Sequence, residues 1–195
     1  MADTLFDGLP ILDLLEITPS TSVVAEIIQR DQSSISRIHR QVSLRLGLDF
    51  RKHTDGRYRA NANQVLLEGL RWSSQRIRLQ TTPAEPRWLI CSHTAQVSGA
   101  LKPTLVQHCG DPLQVERLLR ERLLDLAVIT RPGTPIGAAA ADLLELPLLH
   151  HSDSQDLILL RRDTSDHPAV QSLIAALKQQ VSQHLRQHPE QEWLG

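Results

Sequence analysis

The sequence predicts an α+β protein in two parts: a mostly helical N-terminal segment closed by a small hairpin, then a small α/β domain. Three observations carry this reading. Apolar residues recur at three- and four-residue spacing through residues 5–46 and again over 63–79, the pattern of helices with one buried face. Asp55-Gly56, a strong hairpin-turn dipeptide, stands between two short extended runs. Beyond residue 87, short strand-like runs alternate with helical stretches, an order that argues for an α/β unit with a mostly parallel sheet. The chain has 195 residues, 41% hydrophobic and 22% charged, enough for one large domain or two small ones with a real core. Aromatics are only 3%, so that core must come from Leu, Ile, Val and Ala. The expected division is 1–62, a linker helix and linker over 63–86, and 87–195.

Leu5, Leu9, Leu12 and Leu15 set the first helix over 5–17, and Thr18-Pro19 ends it. Ser20, Thr21 or Ser22 can cap a short second helix through about Gln29, with Val24 and Ile28 on one face. Asp31 is a good N-cap for a third helix that runs to about Leu46, and Gly47 is a natural stop. On this helix Ile35, Ile38, Val42 and Leu46 form an inward stripe. Ser34, Arg37, Gln41 and Arg45 form a second stripe at the same spacing, with Arg40 beside it. Residues 50–54 and 57–61 flank the Asp55-Gly56 turn. Three helices followed by a basic hairpin outline a winged helix-turn-helix. A longer helix follows over 63–79, with Leu66, Leu70, Ser73 and Ile77 in a seam and Val65 and Trp72 beside them. Residues 81–86 (TTPAEP) break it.

In the second half, residues 88–92 read as a strand and 96–108 as helical around Pro103, an awkward interior proline. Residues 112–124 read as a helix with Pro112 in its first turn, and 126–130 (LAVIT) as a buried strand. Residues 131–142, rich in Gly, Pro and Ala, read as a loop, 157–160 as a strand, and 168–186 as a final amphipathic helix.

The net charge of −1 conceals a polarity along the chain. Residues 1–29 hold five acids and no Lys or Arg, whereas residues 30–59 hold eight bases against three acids. Basic charge packed into the third helix and the hairpin is the footprint of a nucleic-acid contact surface. Within it, Gln32, Ser33, Ser34 and Arg37 are the expected base readers, since Gln suits adenine and Arg suits guanine. Ser36, Arg40 and Gln41 lie on the same helix. Arg45, Arg51, Lys52 and Arg59 are expected to grip phosphates, and Arg57 beside the turn to enter the flanking minor groove.

These residues carry a resemblance to the LysR-type transcriptional regulators. Ser20-x-Ser22 and Val24-Ala25-Glu26-x-Ile28 resemble the family's second helix, and residues 32–37 (QSSISR) the start of its recognition helix. Leu46-Gly47, Phe50, residues 54–57 (TDGR) and residues 65–68 (VLLE), the opening of a linker helix, follow in the family's order. One residue is missing between Gly47 and Phe50. Ser33 stands where the family commonly has proline, and Arg30 where it has an apolar residue. In the second half, residues 118–130 (LLRERLLDLAVIT) resemble a helix and strand of the first lobe of the family's effector domain, and residues 156–168 a later strand and turn. The resemblance implies a dimeric regulator that binds pseudo-palindromic double-stranded DNA. The room after Pro86 fits a single reduced lobe of the periplasmic-binding-protein type. The same resemblance puts effector contacts for a small molecule at Ser92, His93, Thr94 and Thr130.

The linker helix is the expected seam of a homodimer or higher homo-oligomer, through Val65, Leu66, Leu70, Trp72 and Ile77. No run approaches the roughly 20 apolar residues a membrane span needs, and the N-terminus lacks the pattern of a signal peptide. A cytoplasmic protein with no membrane partner is therefore expected, with Cys91 and Cys109 as two reduced thiols. The phosphate-loop, dinucleotide, zinc-protease and serine-hydrolase motifs are all absent, which argues against an enzyme. His184 with His188, and His150-His151 near Asp153, offer two metal ligands without a third and fourth, so neither a metal nor a cofactor is expected. The alternative is a protein-interaction adaptor built on the same winged-helix scaffold; the basic segment argues against it.

Overall fold

The computed structural model describes residues 4–18, 20–54, 56–91, 112–132, 141–150 and 153–187. The chain divides into two compact units, Met1–Arg76 and Ile77–Gly195.

In the first unit α1 (Thr4–Ile17), α2 (Thr21–Ile28) and α3 (Gln32–Leu46) precede a hairpin of β1 (Arg51–Lys52) and β2 (Tyr58–Arg59). The hairpin pairs Arg51 with Arg59 and Lys52 with Tyr58, antiparallel. The fourth helix, α4 (Gln64–Gln80), begins here and crosses the boundary of the units. The caps fall where the side chains demand them. Ser20 accepts the Val23 amide at the start of α2, and Gln29 closes that helix in the left-handed region with φ 57°. Asp31 accepts the Ser34 amide at 2.8 Å to start α3, and Gly47 ends it with φ 61°. Leu12, Val42, Leu48, Ala60 and Leu67 form the core, which draws on α1, α3, the wing and α4, with Ile38, Leu46 and Phe50 packed around it. The approach of α1 to α3 is close at Gly8: a Cβ there would lie 2.5 Å from Val42 Cγ2.

The second unit holds β3 (Trp88–Cys91), α5 (Pro112–Arg120), β4 (Leu126–Pro132), β5 (Leu143–His150), β6 (Ser154–Arg161) and α6 (Pro168–Gln187). Strand order is β3-β4-β6-β5. Side chains alternate across the sheet. Trp88, Leu126, Val128, Ile158 and Leu160 meet Val170, Ile174 and Leu177 of α6. Leu89, Ala127, Ile129, Leu157 and Leu159 point to the opposite face and are buried there, where α5 packs on β4 and β6. Buried Asp125 anchors the start of the unit: it accepts the Arg87 amide at 2.6 Å and pairs with Arg78 at 3.1 Å.

Three expectations need correction. The sheet is mixed rather than mostly parallel, because only β3–β4 is parallel while β4–β6 and β6–β5 are antiparallel. The three residues between β5 and β6 are too few for a crossover, so that pair can only form a hairpin. Strand β5 itself is absent from the sequence-based expectation. Pro147 disguises it, and the sheet tolerates that proline because β5 is an edge strand whose register shifts between Pro147 and Leu149. Finally, α5 stops at Arg120 rather than Leu124. Arg122 adopts φ 61°, and Leu123 and Leu124 turn back to bond Leu118 and fill the core.

Candidate nucleic-acid interface

The two stripes of α3 separate as their side chains require. Ile35 and Val42 are buried and Ile38 and Leu46 half-buried, while Gln32, Ser33, Ser36, Arg37, Arg40, Gln41 and Arg45 are exposed. Ser34 is half-buried. The N-terminus of this helix is tightly organised around Asp31. Its carboxylate accepts the Ser33 hydroxyl and the Ser34 hydroxyl, each at 2.6 Å, together with the Ser34 amide. Those bonds, the Ser33 hydroxyl first, hold the Asp31 carboxyl well below the usual carboxylate range. Each serine has a single hydroxyl proton and both are directed at Asp31, so outward these two residues present lone pairs. Gln32 donates from Nε2 to Thr21 Oγ1 at 2.9 Å, which braces it against α2.

Leu44, three residues after Gln41 and seven after Arg37, shares the outer face of the second stripe, although that stripe, as read from the spacing, omits it. It is 72% exposed, lying among Arg37, Arg40 and Gln41 on the outer face of α3. Its offset from the 35-38-42-46 stripe was legible and marks it as outward-facing. An apolar side chain there suits contact with a thymine methyl group.

The wing packs on α3 through His39, whose ring lies 5.4 Å from Phe50 and 5.2 Å from Tyr58, centroid to centroid. His39 Nε2 is buried with no hydrogen-bond partner, and burial pushes the imidazole pKa down. Asp49 closes the base of the hairpin by accepting the Asn61 amide at 2.7 Å and the Ala62 amide at 2.6 Å. These bonds lower its pKa, Ala62 contributing most. At the tip, Gly56 takes φ 82° and donates to the His53 carbonyl. Arg51 and Lys52 are exposed, whereas Arg57 and Arg59 are half-buried. Arg57 donates from Nε to the Ile17 carbonyl at 2.8 Å, so its guanidinium is braced against the end of α1.

On α4 the two faces differ in kind. Leu67, Arg71, Ser74 and Gln75 are buried. Val65, at 87%, together with Leu66, Trp72 and Ile77, is exposed, and Leu70 is half-buried. Arg76 lies over the Trp72 ring at 5.2 Å. Gly69 occupies the middle of the outer face, and a Cβ there would meet nothing within 4 Å.

In the second unit Thr130 is half-buried and donates its hydroxyl to the buried Asp156, its register partner across β4–β6. Ser92, His93 and Thr94 lie outside the described residues, as do Cys109, His151, His188 and the expected helix at 96–108. Among the described residues no group of three or more His, Cys, Asp or Glu can hold a metal ion, and no helix is long and apolar enough to cross a membrane.

No protein-family model matches the sequence. No curated protein matches it either. Solved structures that are similar in part include two of OxyR. Full-length OxyR C199D from Pseudomonas aeruginosa aligns with a TM-score of 0.42 at 16% identity, over 74% of this chain and 55% of that one. The Corynebacterium glutamicum OxyR C206S mutant, H2O2-bound, aligns with a TM-score of 0.28 at 13% identity, over 73% of this chain and 49% of that one. The chain thus spans about half the length of the structures it resembles.

Proposed function

We propose that the protein is a sequence-specific DNA-binding transcriptional regulator of the LysR-like type. The observation that carries this reading is the division of α3. One side is buried in the first unit, and the other exposes Ser36, Arg37, Arg40, Gln41 and Arg45 beside the exposed Arg51 and Lys52 of the wing. A helix of this kind enters the major groove with its N-terminal side chains toward base edges, while the wing bases grip flanking phosphates. Arg37 is the donor for guanine. Ser33 and Ser34, with their hydroxyl protons on Asp31, offer lone pairs that suit the exocyclic amines of adenine or cytosine, and Gln32, braced through Nε2, is the proposed partner of adenine. The brace between Arg57 and Ile17 supports a role for Arg57 in holding the wing.

The outer face of α4 is read as the seam with a second copy of the chain. Val65, Leu66, Trp72 and Ile77 form an apolar stripe on a helix whose other side is buried, and Gly69 at its centre permits close approach of a second helix. A two-fold pair of recognition helices matches a pseudo-palindromic site with half-sites about one helical turn, or a multiple, apart. The second unit is read as the part that senses a small-molecule effector, in which Thr130 is held by Asp156.

The test is selection of bound sequences from randomised duplex DNA by the purified protein. An enriched pseudo-palindrome is the expected result. Retention without sequence enrichment replaces the reading with an architectural one, and no retention at low salt replaces it with a protein-interaction adaptor.

A further inference from the structure

The inner face of α4 meets α1 through polar groups where an apolar contact would be ordinary. Asp13 and Glu16, one turn apart on α1, are 4% and 2% exposed, and Arg71 and Ser74, one turn apart on α4, are 7% and 5% exposed. Glu16 takes both of its oxygens to Arg71 Nη2, and Asp13 accepts the Ser74 hydroxyl at 2.7 Å. The order of partners runs in opposite directions along the two helices, so the helices are antiparallel and carry two matched polar rungs. Apart from Leu67, the described inner face up to Arg76 is these groups and Gln75.

We infer that Glu16 and Arg71 are positioning residues that lock the register of α4 on α1 and so fix the direction in which α4 leaves the first unit. An apolar contact between two helices is non-directional and can slide or rotate at modest cost. A buried carboxylate and guanidinium cannot, because each needs its partner at hydrogen-bond distance. Sliding α4 by one turn brings Asp13 opposite Arg71 and leaves Glu16 against Leu67, a buried charge on an apolar side chain. Such a pair contributes little net stability against a well-packed apolar substitute, and its effect is to exclude alternatives. The consequence for function rests on the proposed pairing of two copies through α4. If α4 leaves each DNA-binding unit in one direction only, the two recognition helices stand at one separation and the dimer accepts one half-site spacing.

The experiment compares the wild type with the Glu16→Met/Arg71→Met double variant, which replaces the pair by apolar side chains of similar length. The single variants Glu16→Gln and Arg71→Met serve as controls that each strand one partner. Spin labels on Glu26→Cys and Glu68→Cys, in a background with Cys91→Ala and Cys109→Ala, report the distance between α2 and α4 in the full chain without DNA. The wild type is expected to give one narrow distance. The double variant is expected to unfold at an unchanged or higher denaturant midpoint yet give a broad distribution. On duplexes carrying the selected half-sites with spacers varied one base pair at a time, the wild type should prefer one spacing at least tenfold. The double variant should bind several spacings within about threefold and a single half-site as well as the wild type does. A double variant that keeps both the narrow distance and the single preferred spacing overturns the inference. If neither protein binds duplex at low salt, the DNA reading has failed and the distances decide alone: narrow in both proteins overturns the lock, broad in the double variant supports it.

Discussion

The side-chain amide of Asn63 lies 2.9 Å from the Gly47 carbonyl oxygen and donates to it. It also donates to the Leu46 carbonyl at 3.0 Å. The last carbonyls of α3 are thereby satisfied by the residue just before α4, which itself adopts φ 53°. One asparagine joins the end of the proposed recognition helix to the start of the proposed dimer helix.

Replacing either member of this contact should lower stability by a distinct route. Asn63→Ala loses both bonds and places a Cβ-bearing residue with no local hydrogen bond in the left-handed region, a cost of about 1–3 kcal/mol. Asn63→Gly loses the bonds but tolerates the backbone, and should cost less. Gly47→Ala meets the φ of 61° and an Asn63 Nδ2 atom 2.7 Å away, so it should cost at least as much as Asn63→Ala. Urea unfolding monitored by circular dichroism orders the three variants; an Asn63→Gly protein no more stable than the Asn63→Ala protein would deny the backbone its share.

Two glycines in helices should respond differently to the same change. Gly8→Ala forces a methyl group against Val42 Cγ2, a branched side chain with little freedom to yield, and overpacking of this kind costs about 1–3 kcal/mol. That outweighs or cancels the helix-propensity gain of about 1 kcal/mol. Gly69→Ala meets nothing and should raise the stability of the isolated chain by about 0.5–1 kcal/mol. If a second copy packs closely on the outer face of α4, the same substitution weakens self-association. Sedimentation equilibrium beside thermal melts separates the two effects, and a Gly69→Ala protein that associates as tightly as the wild type removes Gly69 from the seam.

His39 should make the joint between α3 and the wing sensitive to acid. Burial lowers its folded-state pKa below the ordinary 6.5, so the unfolded chain binds the proton more readily than the folded one. The stabilisation from a neutral His39 is therefore complete above about pH 6.5 and is lost as pH falls through the folded value. His39→Phe keeps a ring between Phe50 and Tyr58 and removes the titration. Denaturant midpoints between about pH 7.5 and about pH 5 should fall further for the wild type than for this variant, and equal falls would place the acid sensitivity elsewhere.

The first unit was legible because its signals are local. Asp31 at the start of α3, Gly47 at its end and Asp55-Gly56 at the turn each dictate backbone geometry within a few residues, and the caps formed as their chemistry requires. The periodicity of α4 marked Leu66, Leu70, Ser73 and Ile77, with Val65 and Trp72 beside them, as one apolar seam, yet it gave no sign that Arg71 and Gln75 face inward. The burial of Arg71 depends on an acid from α1, Glu16, which lies 55 residues away in sequence. The second unit was harder for the same reason. Pro147 argues locally against a strand, and only pairing with β6 on an unshared edge makes β5 acceptable. Leu123 and Leu124 continue the apolar rhythm of α5, but the core takes them after the chain has turned at Arg122.

The exposed cations of the first unit should divide into two behaviours on DNA. Arg37, exposed near the N-terminal end of α3, is the proposed reader of a base edge, and Arg37→Ala should cost about 1–3 kcal/mol in binding and relax preference at one base position. Lys52 stands in the wing, where a phosphate contact carries no sequence information. Lys52→Ala should weaken binding about equally on every sequence and reduce the slope of log K against log salt by about 0.9. Leu44→Ala should reduce affinity only where a thymine faces it and leave the salt slope unchanged. Titrations over a series of salt concentrations against the selected site and single-base variants separate these behaviours. Equal losses across all sequences for Arg37→Ala would move that residue from the base edges to the backbone, and a flat salt dependence in the wild type would remove phosphates from the interface altogether.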